Sequence, residues 1–442
     1  TAGELSLSGR GDSEAFELAE LQLSLLDGSL QGRGNVQWSP QLRGAVVLAG
    51  EALNPAVLAP DFPGELSIAL RAEGGITDGA VTADIETLSL EGIFREQPLD
   101  VQLRGELQGA QVNLETLMVQ SGQTRISARG YVGDNMDLQW DIDSPDLDDL
   151  LPGATGSLKG EGRVAGRLAL PAVRGGLQGR AIAYGDYRLE HLSLELDVDL
   201  EREAPSRLSL TLDRAFAGAT RIDTLSVTGA GKRRDHQLTF RLDSPQGVAG
   251  LSLTGGLGDS DWQGELTDGE LRYAELAPWS LVGPQALRIA AQEQQLERGC
   301  WRNAKSRLCL QGRRADDDLD AAVDLEAFAL DYLRPLMPEA IALAGTLGAQ
   351  ARIRQAAGMP PELKVGLDTD LIELRTGKAA DEPDELLLGL DPSLPSVTYG
   401  DNGLLAELSM PFTDGGGIDA RAQVDGGDKP LAERPLRGKL TL

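Results

Sequence analysis

Apolar side chains recur at every second position through most of this chain, and that period limits the possible folds more than any other feature. A strand turns successive side chains to opposite faces, whereas an amphipathic helix needs apolar residues three and four apart. The stretch Leu192-Ser-Leu-Glu-Leu-Asp-Val-Asp-Leu200 puts Leu192, Leu194, Leu196, Val198 and Leu200 on one face, and Ser193, Glu195, Asp197 and Asp199 on the other. The same alternation recurs at Leu66/Ile68/Leu70, Val81/Ala83/Ile85, Leu138/Trp140/Ile142, Leu208/Leu210/Leu212 and Leu238/Phe240/Leu242. It continues at Leu319/Ala321/Val323/Leu325, Leu363/Val365/Leu367, Leu386/Leu388/Leu390, Leu404/Ala406/Leu408/Met410 and Ile418/Ala420/Ala422/Val424. Strands with one apolar face are therefore expected from end to end.

Between them stand turn signals such as Gly74-Gly75, Asp78-Gly79, Gly255-Gly256, Gly258-Asp259 and Gly415-Gly416-Gly417. Spaced about 8 to 12 residues apart, such signals predict antiparallel hairpins joined in a meander. They also account for 54 glycines in 442 residues, about 12% where roughly 7% is usual.

Helical spacing is confined to three short pieces, each closed by proline: Leu53-Asn-Pro-Ala-Val-Leu-Ala-Pro60, Asp146-Leu-Asp-Asp-Leu-Leu-Pro152 and Phe328-Ala-Leu-Asp-Tyr-Leu-Arg-Pro-Leu-Met-Pro338. Each reads as one or two turns, because proline cannot continue the hydrogen-bond ladder. The residues after each proline repeat as well. Pro60-x-x-x-Gly64-x-Leu66 matches Pro152-x-x-x-Gly156-x-Leu158, and Pro338 reaches Gly345-x-Leu347 with three extra residues. Gly156-Ser-Leu158, Val164 and Pro171 recur at one offset as Gly345-Thr-Leu347, Ile353 and Pro360. The expectation is an all-β chain, one continuous segment 1–442 of divergent repeats in approximate groups 1–152, 153–338 and 339–442, with a few short helices. The best linker candidate is Gly377-Lys-Ala-Ala-Asp-Glu-Pro-Asp-Glu385, which reads equally as one long surface loop.

Side chains suited to chemistry are scarce. The only histidines, His191 and His236, fall beside strand patterns and outside any His-Glu-x-x-His arrangement, so no metal site is expected. Gly229-Ala-Gly-Lys232 lacks the first Gly of a phosphate loop and has Arg233 where Ser or Thr belongs, and Gly32-x-Gly34 lacks the third Gly of a dinucleotide fingerprint. Asp141, Asp143, Asp146, Asp148 and Asp149 are dense, but Pro145 and the missing Gly and Glu break a calcium-loop pattern; the run Asp316-Asp317-Asp318 reads likewise as a solvated turn. With 69 acidic against 41 basic residues, a net charge of −28, nucleic acid and anionic membrane surfaces are poor electrostatic partners. No cofactor is implied.

Cys300 and Cys309 are compatible with one local disulfide or with two buried thiols. A disulfide is favoured, since two strand ends around a polar turn would bring the pair within bonding reach, and neither a nearby His nor a Cys-x-x-Cys spacing marks a reactive thiol. No run of about 18 apolar residues occurs, and Thr-Ala-Gly-Glu-Leu at the start lacks the regions of a signal peptide. A soluble piece, excised or processed from something longer, is expected.

The apolar face must meet a second sheet, itself, or a ligand. Its Leu, Val, Ile and Ala offer no hydrogen-bond specificity but suit acyl chains, and two acyl chains cost on the order of 20 kcal/mol to expose, at about 0.8 kcal/mol per methylene. The positions expected to line a lipid groove are Leu66, Ile68, Leu70, Val81, Ile85, Leu138, Trp140, Ile142, Leu192, Leu194, Leu196, Val198, Leu200, Leu208, Leu210, Leu212, Leu238, Phe240, Leu242, Val323, Leu325, Leu363, Val365, Leu367, Leu404 and Leu408. The inward face is assigned from hydrophobicity alone.

Three segments resemble a known family. They are Leu26-Asp-Gly-Ser-Leu-Gln-Gly-Arg-Gly34-Asn-Val-Gln-Trp38-Ser-Pro40 leading to Pro63-Gly64; Trp262-Gln-Gly-Glu-Leu266 with Trp279-Ser-Leu281 and the Cys300-Trp301 … Leu308-Cys309-Leu310 element; and Phe328-Ala-Leu330 … Leu333-Arg-Pro335 with Gly345-Thr-Leu347. They are similar to the middle part of the TamB family, translocation and assembly module subunits within the AsmA-like, bridge-like lipid transfer group. The resemblance implies an elongated, twisted sheet curled into a taco-like groove that carries phospholipids across the Gram-negative periplasm, with no enzymatic activity. It also implies TamA, an outer-membrane barrel protein, as a partner through a C-terminal region, and an N-terminal inner-membrane anchor, neither expected within this chain. The competing expectations are a structural or chaperone-like β scaffold in outer-membrane protein or autotransporter assembly and, more remotely, a polysaccharide enzyme using Asp141 and Asp143.

Overall fold

The alternating segments are strands. A computed structural model describes residues 4–274, 276–338, 341–376, 386–427 and 434–442, and in it every strand pairing is antiparallel. The expected linker at 377–385 lies outside the described residues. The chain divides into two units, Thr1–Arg233 and Arg234–Leu442, a boundary that falls inside the second of the three repeat groups.

In the first unit, fifteen strands from Leu5–Gly11 to Thr220–Lys232 follow one another as a meander, each hydrogen-bonded to the next. In the second, fourteen strands between Asp235–Ser244 and Leu436–Thr441 form the main sheet. A separate small sheet joins Ile341–Ala344, Ile372–Thr376 and Leu386–Leu390. Alternation decides both, because one polar and one apolar face per strand specify register as well as strand.

The three proline-closed pieces form 3-10 helices at Pro55–Val57, Leu147–Asp149 and Leu330–Leu336. Two begin with a side-chain cap. Asn54 Oδ1 accepts from the N–H groups of Ala56 and Gly64, and Asp146 Oδ1 accepts from that of Asp148. In the first unit, connections alternate between the two ends of the strands, so both short helices of that unit lie at one end. The repeat has a backbone cause. Gly156, at the start of the strand after the second helix, and Gly345, between the two strands that follow the third, are aligned by the pattern and take φ of 98° and 119°, a conformation that side-chain-bearing residues resist.

Candidate functional site

Register assembles the apolar positions into continuous rows. In the first unit Leu5, Leu23, Leu30, Gly50, Ile68, Leu90, Val101, Val119, Ile126, Ile142, Gly160, Leu177, Leu194, Leu210 and Val227 stand opposite one another from strand to strand. A parallel row runs through Leu48, Leu70, Leu88, Leu103, Leu117, Ala128, Trp140, Gly162, Gly175, Leu196 and Leu208. Ile85, Leu138 and Val198 belong to a third, with Gly105, Val164 and Val173 between them. Leu66 faces Leu53, and Leu192 faces Leu212. Val81 faces Ile76 beside a turn.

The second unit does the same. One row joins Leu287, Leu296, Gly312, Ala321, Ile353, Leu363, Tyr399, Leu404 and Val424; another joins Leu310, Val323, Ala351, Val365, Val397, Ala406 and Ala422. Leu325 and Leu367 both face Ala349; Leu238, Phe240 and Leu242 meet Leu253, Leu251 and Ala249; Leu408 meets Ala420. Leu200 departs from expectation. The strand ends at Asp199 and Leu200 enters the following turn, its N–H donating to Pro171 O, because the chain must leave the ladder there to reach the next strand.

These faces are not a closed core. Among the described residues only Leu66, Ala154, Leu276, Trp301, Cys309, Leu330 and Val424 are buried apolar side chains. Of the candidate wall positions Leu66 is buried, Val81 and Val323 are exposed, and the rest are half-buried. The chain keeps 27178 Å² accessible, where a compact protein of its mass would keep about 16,000 Å².

Tryptophans level the wall where it carries glycine. A Cβ at Gly162 would lie 2.7 Å from the Trp140 ring, and one at Gly269 would lie 2.3 Å from that of Trp301. Each indole thus occupies the space its neighbour leaves, as aromatic rescue of glycine requires. Trp262 lies against Gly264 in the same way, and its Nε1–H donates to His236 Nε2 at 2.8 Å. His236 faces Gly255 on the apolar side; a partner 26 residues away gives no local sequence signal.

Buried polar groups close one end of the rows. Thr124 Oγ1 and Ser144 Oγ are 2.8 Å apart, both almost wholly buried. The Asp149 carboxylate accepts from the N–H groups of Gln123 and Thr124 and from Thr124 Oγ1, while Ser121 Oγ donates to Asp149 O. Counting back by two from Ile126 puts Thr124 on the apolar side, a signal available in the sequence. Gln285, 2% exposed, interrupts the apolar face of the second unit; its amide donates to Glu297 O and Leu310 O beside the bulge between Leu296 and Gly299.

The other face is charged. Arg163 holds Asp137 with two hydrogen bonds, which keep that carboxyl below its usual pKa, and Arg174 pairs with Asp197. A shallow trough of about 700 Å³ there is lined by Arg129, Asp141, Glu161, Arg163 and Arg174 among others. Asp143 pairs with Lys159, and His191 is an exposed strand residue opposite Asp213. Among the described residues no group of His, Cys, Asp and Glu is placed to hold a metal, and no helix is long and apolar enough to cross a membrane.

Cys300 and Cys309 are disulfide-bonded across neighbouring strands, on the side away from Trp301 and Leu308. Replacing both with Ser should cost about 2–3 kcal/mol for so short a loop. Urea unfolding under non-reducing conditions, followed by Trp fluorescence, checks this: a shift absent from the variant pair would show the bond to be energetically silent.

The family model described as "TamB, N-terminal domain" matches residues 1–442. A relative, the translocation and assembly module subunit TamB of Haemophilus influenzae, is 20% identical over 376 residues, covering 83% of this chain and 29% of that protein. The chain therefore spans less than a third of the relative it matches. No solved structure matches it. With a family match along its whole length and apolar rows across its strands, the chain belongs to the TamB family.

Proposed function

We propose that the apolar faces form the wall of a non-enzymatic phospholipid conduit, working in the Gram-negative periplasm between inner and outer membranes and supporting outer-membrane biogenesis together with TamA. One observation carries the reading. Rows of apolar positions, mostly aliphatic with glycines among them, run from strand to strand, and the side chains keep part of their surface free. A closed sandwich would bury them. An acyl chain laid along the wall recovers about 0.8 kcal/mol per methylene without specific hydrogen bonds, so many places along the wall hold it equally well and none traps it. The charged opposite face keeps the sheet in water. Membership of a translocation and assembly module family supports the envelope setting.

Mass spectrometry of the chain purified from envelope extracts should find co-purifying phospholipid. Photo-crosslinkers placed singly at residues 192–199 should label lipid at alternate sites, Leu192, Leu194, Leu196 and Val198. Absence of lipid and of periodic labelling would overturn the conduit and favour a scaffold for outer-membrane protein assembly.

A further inference from the structure

The two ends of the strands are built differently. Seven buried polar side chains, Ser121, Thr124 and Ser144 in the first unit and Asn303, Ser306, Thr369 and Ser393 in the second, sit at strand ends that carry the short helices; Gln285 interrupts the apolar face, and Arg233 stands at the opposite end of the first unit, paired with Glu203. There they are hydrogen-bonded to helix, loop or bulge: Ser121 to Asp149 O, Asn303 to Ala277 O and Pro278 O, Ser306 to Ala327 O in the bulge between Leu325 and Phe328, Thr369 to Ser393. These ends are seams of satisfied polar groups.

At the opposite end of the first unit four hairpins are tight, at Asp78-Gly79, Gly109-Ala110, Gly133-Asp134 and Leu168-Ala169, while the connections at 38–42 and 200–205 are longer, and no helix covers any of them. Ile76, Val81, Val112, Val132 and Leu168 stand there, between 36% and 73% exposed. Ile76 faces Val81, and Val112 faces Leu107 and Val132, so most of this lip is the end of the apolar face itself. In the second unit Ile289, facing Trp262, is likewise exposed at the end away from Asn303.

We propose that acyl chains pass onto and off the wall sideways, across the aliphatic lip of Ile76, Val81, Val112, Val132 and Leu168, and not across the sealed strand ends. The inference rests on the conduit reading and adds a route to it. A chain sliding over the lip keeps apolar contact throughout, while crossing the seam would uncover hydroxyl and carboxylate groups already paired with each other. The headgroup stays in water beyond the turns.

The test measures loading of the 442-residue chain from phosphatidylethanolamine/phosphatidylglycerol vesicles carrying self-quenched fluorescent phosphatidylethanolamine, reading both initial rate and final amount bound. Val112→Lys with Val132→Lys should slow the initial rate at least tenfold and leave the final amount within twofold of wild type. Leu58→Lys with Leu151→Lys, also exposed but on the helix-bearing side, should change neither. A lip variant that loads at the wild-type rate overturns the route and leaves the conduit standing; wild-type chain that takes up no lipid overturns the conduit. Should the lysines also reduce the final amount, the near-isosteric Val112→Thr with Val132→Thr decides on rate alone: slower loading supports the lip, and an unchanged rate overturns it.

Discussion

Leu194→Arg should lower the phospholipid bound per chain at least tenfold, while Glu195→Arg, the next residue of the same strand, leaves it within twofold of wild type. Leu194 stands between Leu177 and Leu210 in the longest apolar row, and Glu195 stands between Gly176 and Ser209 on the charged face. A guanidinium among acyl chains costs about 2.5–3.5 kcal/mol at the centre of a hydrocarbon layer, and tenfold in binding needs only about 1.4 kcal/mol. One substitution is therefore enough. Because Leu194 is half-buried, the arginine can reach water when no lipid is present, and the cost to folding should stay near 1 kcal/mol. Lipid phosphorus per mole of protein, with far-ultraviolet circular dichroism as the folding control, measures both. Equal loss from the two variants would mean that lipid does not distinguish the faces, and the wall assignment would fall.

How far the sequence discloses this arrangement depends on how local each interaction is. Strand Tyr187–Asp199 is legible because its alternation is uninterrupted from Leu192 to Val198, and register with Leu208, Leu210 and Leu212 follows from matching faces. The Cys300–Cys309 pair is legible because one hairpin brings it together. Bulges hide the rest. Between Ile85 and Leu88 the extra residue makes the apolar face return after three positions, so Leu88 and Leu90 break the period although both belong to the wall. The same happens between Gly50 and Leu53, where Ala52 takes φ of 53°. The sealed strand ends are hidden for another reason. Thr124, Ser144 and Asp149 have the composition of a solvated turn, and only the short helix folding back over the hairpin at 122–123 makes them interior. Their polarity points outward, and their hydrogen bonds take them in.

That seam should carry the largest stability effect on the first unit. Asp149→Ala is expected to cost about 3 kcal/mol, since it removes one carboxylate oxygen that accepts from Gln123 N at 2.8 Å, Thr124 N at 3.1 Å and Thr124 Oγ1 at 3.2 Å. Hydrogen bonds to a charged acceptor contribute about 1.5–3 kcal/mol, and a buried donor left alone costs about 1–3 kcal/mol; Thr124 is wholly buried, so water reaches its N–H only if the helix lifts. Asp148→Ala removes the same charge from the same turn but loses only an exposed contact to Gly153 N, and should cost less than about 1 kcal/mol. The comparison separates the network from helix-end electrostatics, because both aspartates lie in the first turn and share whatever the dipole contributes. Urea unfolding gives the two free energies, and amide exchange at Gln123 and Thr124 locates the loss. Rapid exchange there in Asp149→Ala, with exchange along Tyr187–Asp199 unchanged, would place the failure at the strand ends; equal destabilisation by the two variants would mean that charge at the helix start, not the buried hydrogen bonds, holds this end closed.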